Sequence, residues 1–90
     1  MTEPIYERSR QMMEAALGDE LVTLDPDRGE CFGFNSVATR VWQLLETPRS
    51  RAALEDVLVE EFDVERGQCA SELSELIDDL VTRGLIRRAG

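Results

Sequence analysis

The chain contains no histidine, only two cysteines and few aromatic residues among its 90 residues. Without histidine it lacks the commonest general base and the commonest metal ligand of proteins. Cys31 and Cys69 are too few for a structural zinc site, which needs four ligands. No glycine-rich phosphate loop is present, and neighbouring carboxylates such as Asp78 and Asp79 point apart on a helix. We therefore expect no catalytic residue, no metal site and no cofactor.

Long apolar runs are also absent, and so is a secretory signal segment. No run approaches the roughly 20 residues that span a bilayer, so we expect a cytoplasmic protein with two half-buried free thiols. A disulfide between the two cysteines is the alternative. The net charge of −9 disfavours nucleic acid and anionic membranes, because affinity for both comes mainly from cationic groups. A cationic peptide or protein is an easier partner.

The most informative stretch, residues 31–42, is a short predicted strand that runs directly into a predicted helix. Phe32 and Phe34 share one face of the strand, where they are predicted to seat a sheet on the helices. Gly33 leaves the other face bare, which is either a packing gap or a place where another backbone approaches. Asn35 is a favoured N-cap. The apolar positions after it recur at helical spacing: Val37, Ala38, Val41, Trp42 and Leu45. Such an edge strand can accept an added strand from a partner.

Two further strands are predicted before this stretch. A weak apolar alternation within residues 10–17 indicates a strand, although helix is an open alternative because these residue types favour it. Residues 21–24 are rich in β-formers and predict a short strand. The clearest turn, Asp-Pro-Asp-Arg-Gly at residues 25–29, joins it to a strand at residues 30–34. These three strands form a predicted antiparallel meander.

Three helices are predicted after the strands, over residues 36–46, 51–62 and 65–83. Pro48 stops the first, Ser50 caps the second and Gly84 ends the third. Strands followed by helices indicate an α+β fold, with a three-stranded antiparallel N-terminal sheet packed on a three-helix, winged-helix-like bundle. We expect one domain over residues 1–90, with the polar residues 1–9 as a flexible arm from which Tyr6 is able to dock.

The third predicted helix presents two stripes. One is predicted to face the core: Leu73, Ile77 and Leu80. The adjoining stripe is predicted to face a groove beside residues 30–34: Glu72, Leu76, Asp79 and Arg83. Leu76 is either a core residue or an anchor for an aliphatic peptide side chain. The acidic residues of this helix, with Glu75 among them, are either a solvated face or attract a basic peptide residue. The candidate peptide-binding residues are Glu30, Cys31, Phe32, Gly33, Phe34, Glu72, Glu75, Leu76, Asp79 and Arg83.

Four segments, at residues 29–35, 37–45, 60–64 and 80–86, follow one another in an order and spacing typical of a known family. From about residue 21 to residue 86 the chain resembles the PqqD-like domains, also called RiPP recognition elements, which serve ribosomally made, later modified peptides. The turn at residues 25–29 departs from the pattern of members that act in pyrroloquinoline quinone synthesis. The chain is most similar to the discrete leader-peptide-binding proteins of lasso-peptide biosynthesis.

The resemblance implies a peptide-binding function. A precursor's leader peptide would add as an antiparallel strand to residues 30–34 and lie in the groove beside the third helix. The implied partners are this leader peptide and a cysteine-protease-like processing enzyme, with a cyclase downstream, and the chain would be a monomer or weak dimer. One alternative is a PqqD-type peptide chaperone for a radical-SAM or other RiPP-modifying enzyme. A different class is an acidic winged-helix regulator or adaptor, whose acidic third helix would repel phosphates.

Overall fold

A computed structural model describes residues 3–89 as two small antiparallel sheets and three helices. In chain order the elements are β1 (Ile5–Arg8), β2 (Met13–Leu17), β3 (Glu20–Asp25), β4 (Glu30–Phe34), α1 (Ser36–Leu44), β5 (Arg49–Ser50), α2 (Arg51–Phe62), α3 (Arg66–Thr82) and β6 (Ile86–Arg88). The predicted α+β class, with a three-stranded antiparallel sheet and three helices, is confirmed.

The predicted meander is the sheet with strand order β2-β3-β4. Residues 13–17 form a strand rather than a helix. The turn between β3 and β4 closes as its sequence indicates, because Gly29 takes a left-handed conformation (φ +67°) and its N–H donates to the Asp25 carbonyl at 2.8 Å. The Asp25 carboxylate accepts from the backbone N–H groups of Asp27 and Arg28. The turn chemistry therefore fixes the register of the two strands.

A second three-stranded sheet, in the order β5-β1-β6, was not predicted. The expectation of a flexible arm is wrong for residues 5–8, which form β1 and pair antiparallel with both neighbours; Met1 and Thr2 lie outside the described residues. Tyr6 stands opposite Arg49 on one side and Arg88 on the other. The Arg8 guanidinium lies 4.2 Å from the centre of the Trp42 ring, which holds β1 against α1.

The helix ends follow the predicted capping residues. The side chains of Asn35 and Ser50 accept hydrogen bonds from backbone N–H groups three residues later, at 2.9 and 3.1 Å. Asp63 ends α2 in a left-handed conformation (φ +50°). Gly84, at φ +74°, ends α3 and directs Leu85 back to the core, a Schellman arrangement. None of the helices within residues 3–89 is both long and apolar enough to cross a membrane.

The core lies between the inner face of the β2-β3-β4 sheet and the three helices. Its fully buried side chains include Val41, Trp42, Leu54 and Leu85. Phe34 is buried and packs on Trp42 with ring centres 5.6 Å apart, so the predicted core placement of both aromatic residues is confirmed. Each such side chain stabilises the fold by about 1.5–3 kcal/mol. The sheet is thus anchored through its last strand, which fixes the position of β4 relative to the helices.

Candidate peptide-binding groove

Strand β4 lies at the end of its sheet, and within residues 3–89 no strand pairs with its outer side. The Thr23 hydroxyl donates to the Phe32 carbonyl at 3.3 Å, so this carbonyl points toward β3. Backbone groups of successive residues point to opposite sides of a strand. The N–H and C=O groups of Cys31 and Gly33 therefore point away from β3, to the open side, where an added strand would find its hydrogen-bond partners.

Helix α3 provides the second wall of a groove beside this edge. The Arg83 guanidinium lies 5.6 Å from the centre of the Phe32 ring, which places the end of α3 near the middle of β4. Leu76, two turns earlier, is half-buried and packs against the core. Phe32 is also half-buried against the core. Leu76 is seven residues before Arg83 and therefore lies on the same side of α3, so the stripe of α3 that reaches Phe32 also carries Leu76.

A small apolar pocket of about 120 Å³ lies at the other end of this groove. It is lined by Val37, Leu58, Phe62, Val64, Cys69, Glu72 and Leu73. Val37 stands in the first turn of α1, directly after β4, and Glu72 stands on α3 four residues before Leu76. Drug-sized ligands need cavities of about 300–1,000 Å³, so this pocket fits one apolar side chain. Larger depressions elsewhere on the described surface are each lined by two or more charged side chains.

An ionic network closes the groove beyond Phe32. Arg10 donates to the backbone carbonyls of Arg83 and Gly84 at 2.7 and 3.2 Å, and it pairs with Glu30 at 3.1 Å and with Asp25. Its guanidinium also lies 5.9 Å from the Phe32 ring centre. Arg10 therefore ties the end of α3 to the turn between β3 and β4, and it sets the spacing of the two groove walls at this end.

The same network shifts two pKa values. Hydrogen bonds to Asp25 and Glu30 raise the pKa of Arg10. Burial by itself would raise the pKa of Asp25, but hydrogen bonds from Arg10 and from two backbone N–H groups outweigh it, and the pKa of Asp25 falls below its usual value. Both side chains are thus held in their charged forms at neutral pH, and the link between turn and helix persists there.

The predicted site residues fall into three groups. On β4, Glu30, Cys31 and Gly33 are exposed, Phe32 is half-buried and Phe34 is buried, so Phe34 offers its backbone rather than its side chain. On α3, Glu72 lines the pocket, Leu76 is half-buried against the core, and Asp79 pairs with Arg83 at 3.0 Å. Glu75 is exposed and lies about 100° around the helix from Leu76, at the outer margin of the groove.

Several groove residues were not predicted as site residues. The pocket residues Val37, Phe62 and Val64 belong to segments that the sequence marks as helix or family motif. Leu73 was assigned to the core, and Cys69 was expected to be a half-buried thiol. Arg10 gives no local signal, because its partners are 15 to 74 positions away in the chain. The one sequence signal that could have indicated the pocket is that a turn motif, at residues 25–29, and a capping residue, Asn35, lie on either side of the same strand.

The two cysteines are free thiols in different surroundings. Cys31 is exposed on β4 and Cys69 is buried on α3, whereas both were expected to be half-buried. Burial and the nearby Glu55 carboxylate raise the pKa of the Cys69 thiol, which disfavours the reactive thiolate. Across residues 3–89, no three Cys, Asp or Glu side chains cluster in a way that could hold a metal ion.

Residues 20–86 match the family model described as coenzyme PQQ synthesis protein D (PqqD). The match covers well over half of the chain. The chain belongs to the PqqD family. The family resemblance seen in the sequence is thus confirmed. No curated protein sequence matches this PqqD-family chain.

Two solved structures resemble the PqqD-family fold described above over most of its length. One is TbiB1 in complex with the TbiA(beta) leader peptide, with 26% identity, a TM-score of 0.79, and coverage of 93% of this chain and 98% of that one. Another is lasso peptide synthetase B1 complexed with the leader peptide, with 25% identity, a TM-score of 0.73, and coverage of 91% and 96%. The predicted likeness to lasso-peptide leader-binding proteins is therefore confirmed.

Proposed function

We propose that the chain binds the leader segment of a ribosomally made precursor peptide by strand addition to β4 and delivers it to a separate processing enzyme of lasso-peptide maturation. The observation that carries this proposal is the open backbone edge at Cys31 and Gly33, which runs beside the apolar pocket. Two solved relatives that cover nearly the whole fold are complexes with leader peptides. They support a leader peptide as the occupant of the groove.

An antiparallel leader strand would pass Phe34 first and Glu30 last. Its backbone would bond to the outward N–H and C=O groups of β4, which gives register, while its inward side chains give specificity. The first of these would enter the pocket beside Val37, and the next would meet the floor formed by Leu76 and Phe32. The family resemblance implies tyrosine, proline and leucine anchors, and an apolar pocket of one side-chain volume suits such anchors.

The acidic residues beside the groove would affect the orientation of the bound leader more than its affinity. Glu72 at the pocket would favour a basic leader residue there, and Glu75 at the outer margin would add to the same field. Asp79 is already paired with Arg83, so it offers less. An exposed ion pair contributes only about 0.2–1 kcal/mol. We therefore propose that apolar anchoring and backbone hydrogen bonds carry the affinity, with the acidic stripe in a secondary role.

The chain would act without catalysing a reaction itself. A bound leader holds the attached core peptide close to the processing enzyme, which raises its effective concentration there. The proposed enzyme is a cysteine-protease-like protein, with a cyclase acting afterwards, and we propose that these steps take place in the cytoplasm. A binding protein needs only a defined groove for this role, and no titratable catalytic pair.

Fluorescence anisotropy tests the proposal directly. The leader segment of the cognate precursor peptide, labelled at its N-terminus, should bind saturably with a Kd in the micromolar range or tighter. A scrambled peptide of the same composition is the control, since it keeps the charge but loses the anchor spacing. Absence of saturable binding at tens of micromolar cognate leader would reject the function.

A PqqD-type chaperone for another RiPP-modifying enzyme is the second candidate, because the matching family model is described by coenzyme PQQ synthesis. The same groove would serve, and only the peptide and the enzyme would differ. Binding of a precursor peptide of that pathway should then be tighter than binding of the lasso leader. A direct competition between the two unlabelled peptides against one labelled leader decides between these pathways.

A further inference from the structure

A depression of about 450 Å³ lies between helix α1 and the turn that joins β2 to β3. Ala16, Asp19 and Glu20 line it from the sheet, Gln43 lines it from α1, and Phe62 lines it from the end of α2. The strand addition proposed above does not use this depression. Its position in the fold nevertheless places it next to the groove.

The depression and the apolar pocket of the groove meet at one side chain. Phe62 lines both of them. Ser36 lines the depression, and the next residue, Val37, lines the pocket. Asp63 follows Phe62 in a left-handed conformation (φ +50°), which turns the chain so that Val64 lines the pocket as well. A ligand that fills the pocket is therefore separated from the depression by the Phe62 side chain.

The direction of strand addition decides which part of the leader reaches this place. An antiparallel leader would pass Phe34 before Glu30, so its N-terminal side would lie at the Phe34 end of β4. Phe34 is opposite Leu21, which lines the depression. Each residue of extended chain advances about 3.3 Å, so a few residues before the pocket suffice to cross Phe62. The C-terminal part of the leader would leave at the opposite end, beside Arg10.

The unpaired charges in the depression are negative. Arg40 also lines it, but two guanidinium nitrogens of Arg40 donate to the two Glu61 carboxylate oxygens at 2.8 and 2.9 Å. Asp19 and Glu20 are exposed, and within residues 3–89 neither forms an ion pair. The field inside the depression therefore favours a cation.

The lining suits a peptide segment better than a small molecule. Pockets that hold small molecules in this size range are lined mainly by apolar side chains, whereas polar and charged residues make up most of this lining. A lysine or arginine of a peptide would lay its apolar stem on Ala16 and Phe62. Its cationic end would then reach the carboxylates of Asp19 and Glu20.

We propose that the depression is a second subsite of the leader groove, which binds the leader residues on the N-terminal side of the added strand and takes a lysine or arginine among them. This inference rests on the proposed leader binding. It adds a charged specificity element to the apolar anchors of the leader. Exposed ion pairs are individually weak, so one such pair should change the Kd about two- to fivefold.

Three leader peptides test the subsite, each labelled at its C-terminus so that the dye stays away from the depression. One is the cognate leader segment. The second lacks every residue before the first anchor, which alanine scanning of the leader identifies. The third has full length, with glutamine in place of each lysine and arginine before that anchor. Fluorescence anisotropy gives the Kd of each peptide.

The three peptides should differ in affinity and in salt dependence. We expect the shortened peptide to bind about fivefold more weakly than the cognate leader, or weaker still, because it loses the apolar contact as well as the ion pair. The glutamine peptide should bind about two- to fivefold more weakly in low salt. This second difference should vanish in about 0.5 M NaCl, which screens exposed charges.

A matched pair of protein variants locates the effect. Glu20→Lys reverses a charge in the depression, and Asp78→Lys makes the same change at an exposed position of α3, on the side away from Leu76. Glu20→Lys should weaken binding of the cognate leader about two- to fivefold and leave the shortened peptide unaffected. Asp78→Lys should leave both affinities unchanged. Circular dichroism checks that both variants fold.

Equal affinity of the wild-type chain for the cognate and shortened peptides overturns the inference and leaves leader binding intact. A cognate leader without lysine or arginine before its first anchor does the same. So does a Glu20→Lys protein that binds both peptides more weakly by the same factor, or an equal effect of Asp78→Lys. Failure of the wild-type chain to bind any of the three peptides rejects the proposed function instead, and the subsite with it.

Amide chemical shifts provide a measurement that needs no substitution in the chain. Saturating cognate leader should shift the amide signals of Gly18 and Gln43, which line the depression, and the shortened peptide should shift them much less. The amide of Arg88, in the other sheet, is the reference. Shifts at Gly18 and Gln43 that persist with the shortened peptide, but are lost when the leader is shortened at its C-terminus, contradict the inference, because the added strand would then run in the other direction.

Discussion

At the residue scale, Leu76 decides whether the groove binds its peptide through an apolar floor. Leu76→Glu replaces an apolar contact by a carboxylate that must lose water when the leader binds. Burial of a leucine side chain is worth about 1.5–3 kcal/mol, so the Kd should rise about tenfold or more. Anisotropy with the labelled leader measures this change. Ser71→Glu is the control, since it adds the same charge to the solvent side of α3.

The two outcomes for Leu76 have different structural meanings. Weaker binding by a folded Leu76→Glu protein, with Ser71→Glu unchanged, would place Leu76 in the groove. Unchanged affinity in a folded Leu76→Glu protein would return Leu76 to the core alone. A loss of helical circular dichroism in Leu76→Glu would also indicate a core role, and Leu76→Ala would then measure the contact without a buried charge.

Asp25 gives the chain a predictable response to acid. Its lowered pKa means that the folded state favours the carboxylate, so this stabilisation is complete above the unfolded value of about 3.9 and is lost as the pH falls below it. Asp25→Asn keeps an acceptor for the turn but loses the charge facing Arg10. We expect the variant to melt at a lower temperature than wild type at pH 7, with a difference that shrinks below about pH 4.

Thermal melts of both proteins from pH 7 to pH 3 measure this difference. Asp27→Asn is the matched control, because Asp27 is exposed in the same turn and should melt like wild type at every pH. A difference between Asp25→Asn and wild type that stays constant down to pH 3 would show that the Asp25 charge does not stabilise the fold through Arg10.

The sequence predicted the roles of those residues that interact with nearby positions in the chain. Asn35, Ser50 and Gly84 act on backbone groups within a few positions, so their roles can be read from the neighbouring residues. Arg10 and the pocket residue Val37 act through residues that only folding brings near them. The sequence therefore predicted the edge strand and its caps, but not the pocket or the arginine that closes the groove.

At the element scale, the open edge of β4 can be tested by a single backbone group. Gly33→Pro removes an N–H that points away from β3, so the ladder between β3 and β4 keeps its hydrogen bonds while the added strand loses one. Together with the bulk of the ring at the edge, this should weaken leader binding about tenfold or more. Anisotropy measures the change, and circular dichroism checks that the hairpin remains folded.

Gly33→Ala is the matched control for this prediction. A Cβ added at Gly33 would meet nothing within 4 Å, and alanine keeps the N–H group, so leader affinity should stay close to that of wild type. Equal weakening by alanine and proline would assign the effect to side-chain bulk on the outward face. Full leader binding by a folded Gly33→Pro protein would exclude strand addition at this position.

The strand β1 shows why one element escaped prediction. Its sequence has a single apolar pair, Ile5 and Tyr6, in a polar segment, which gives too little alternation to indicate a strand. It forms because β5 and β6, from distant parts of the chain, provide hydrogen-bond partners on both sides. Pairing between distant strands depends on where the helices end. The apolar alternation of the β1 sequence therefore gives almost no indication of it.

At the scale of the whole molecule, arginines connect elements that the sequence keeps apart. All ten basic residues are arginine, and several donate to backbone carbonyls: Arg8 to Trp42, Arg10 to Gly84, Arg49 to Leu44 and Arg51 to Ala70. The planar guanidinium suits such contacts better than an ammonium group. In this chain of net charge −9, several arginine side chains thus bind the protein's own backbone. Few arginines then remain to bind the phosphates of a nucleic acid.

The leader would contact both the sheet and α3, so its binding should stabilise the whole fold. A ligand that binds only the folded state adds about 2.7 kcal/mol at a hundredfold excess over its Kd. For a domain of this size each kcal/mol raises the Tm by about 4–8 °C, and we expect a rise of about 10–20 °C. Differential scanning calorimetry measures it, with the scrambled peptide as control. An unchanged Tm at saturating leader would mean that the peptide does not bind the folded groove.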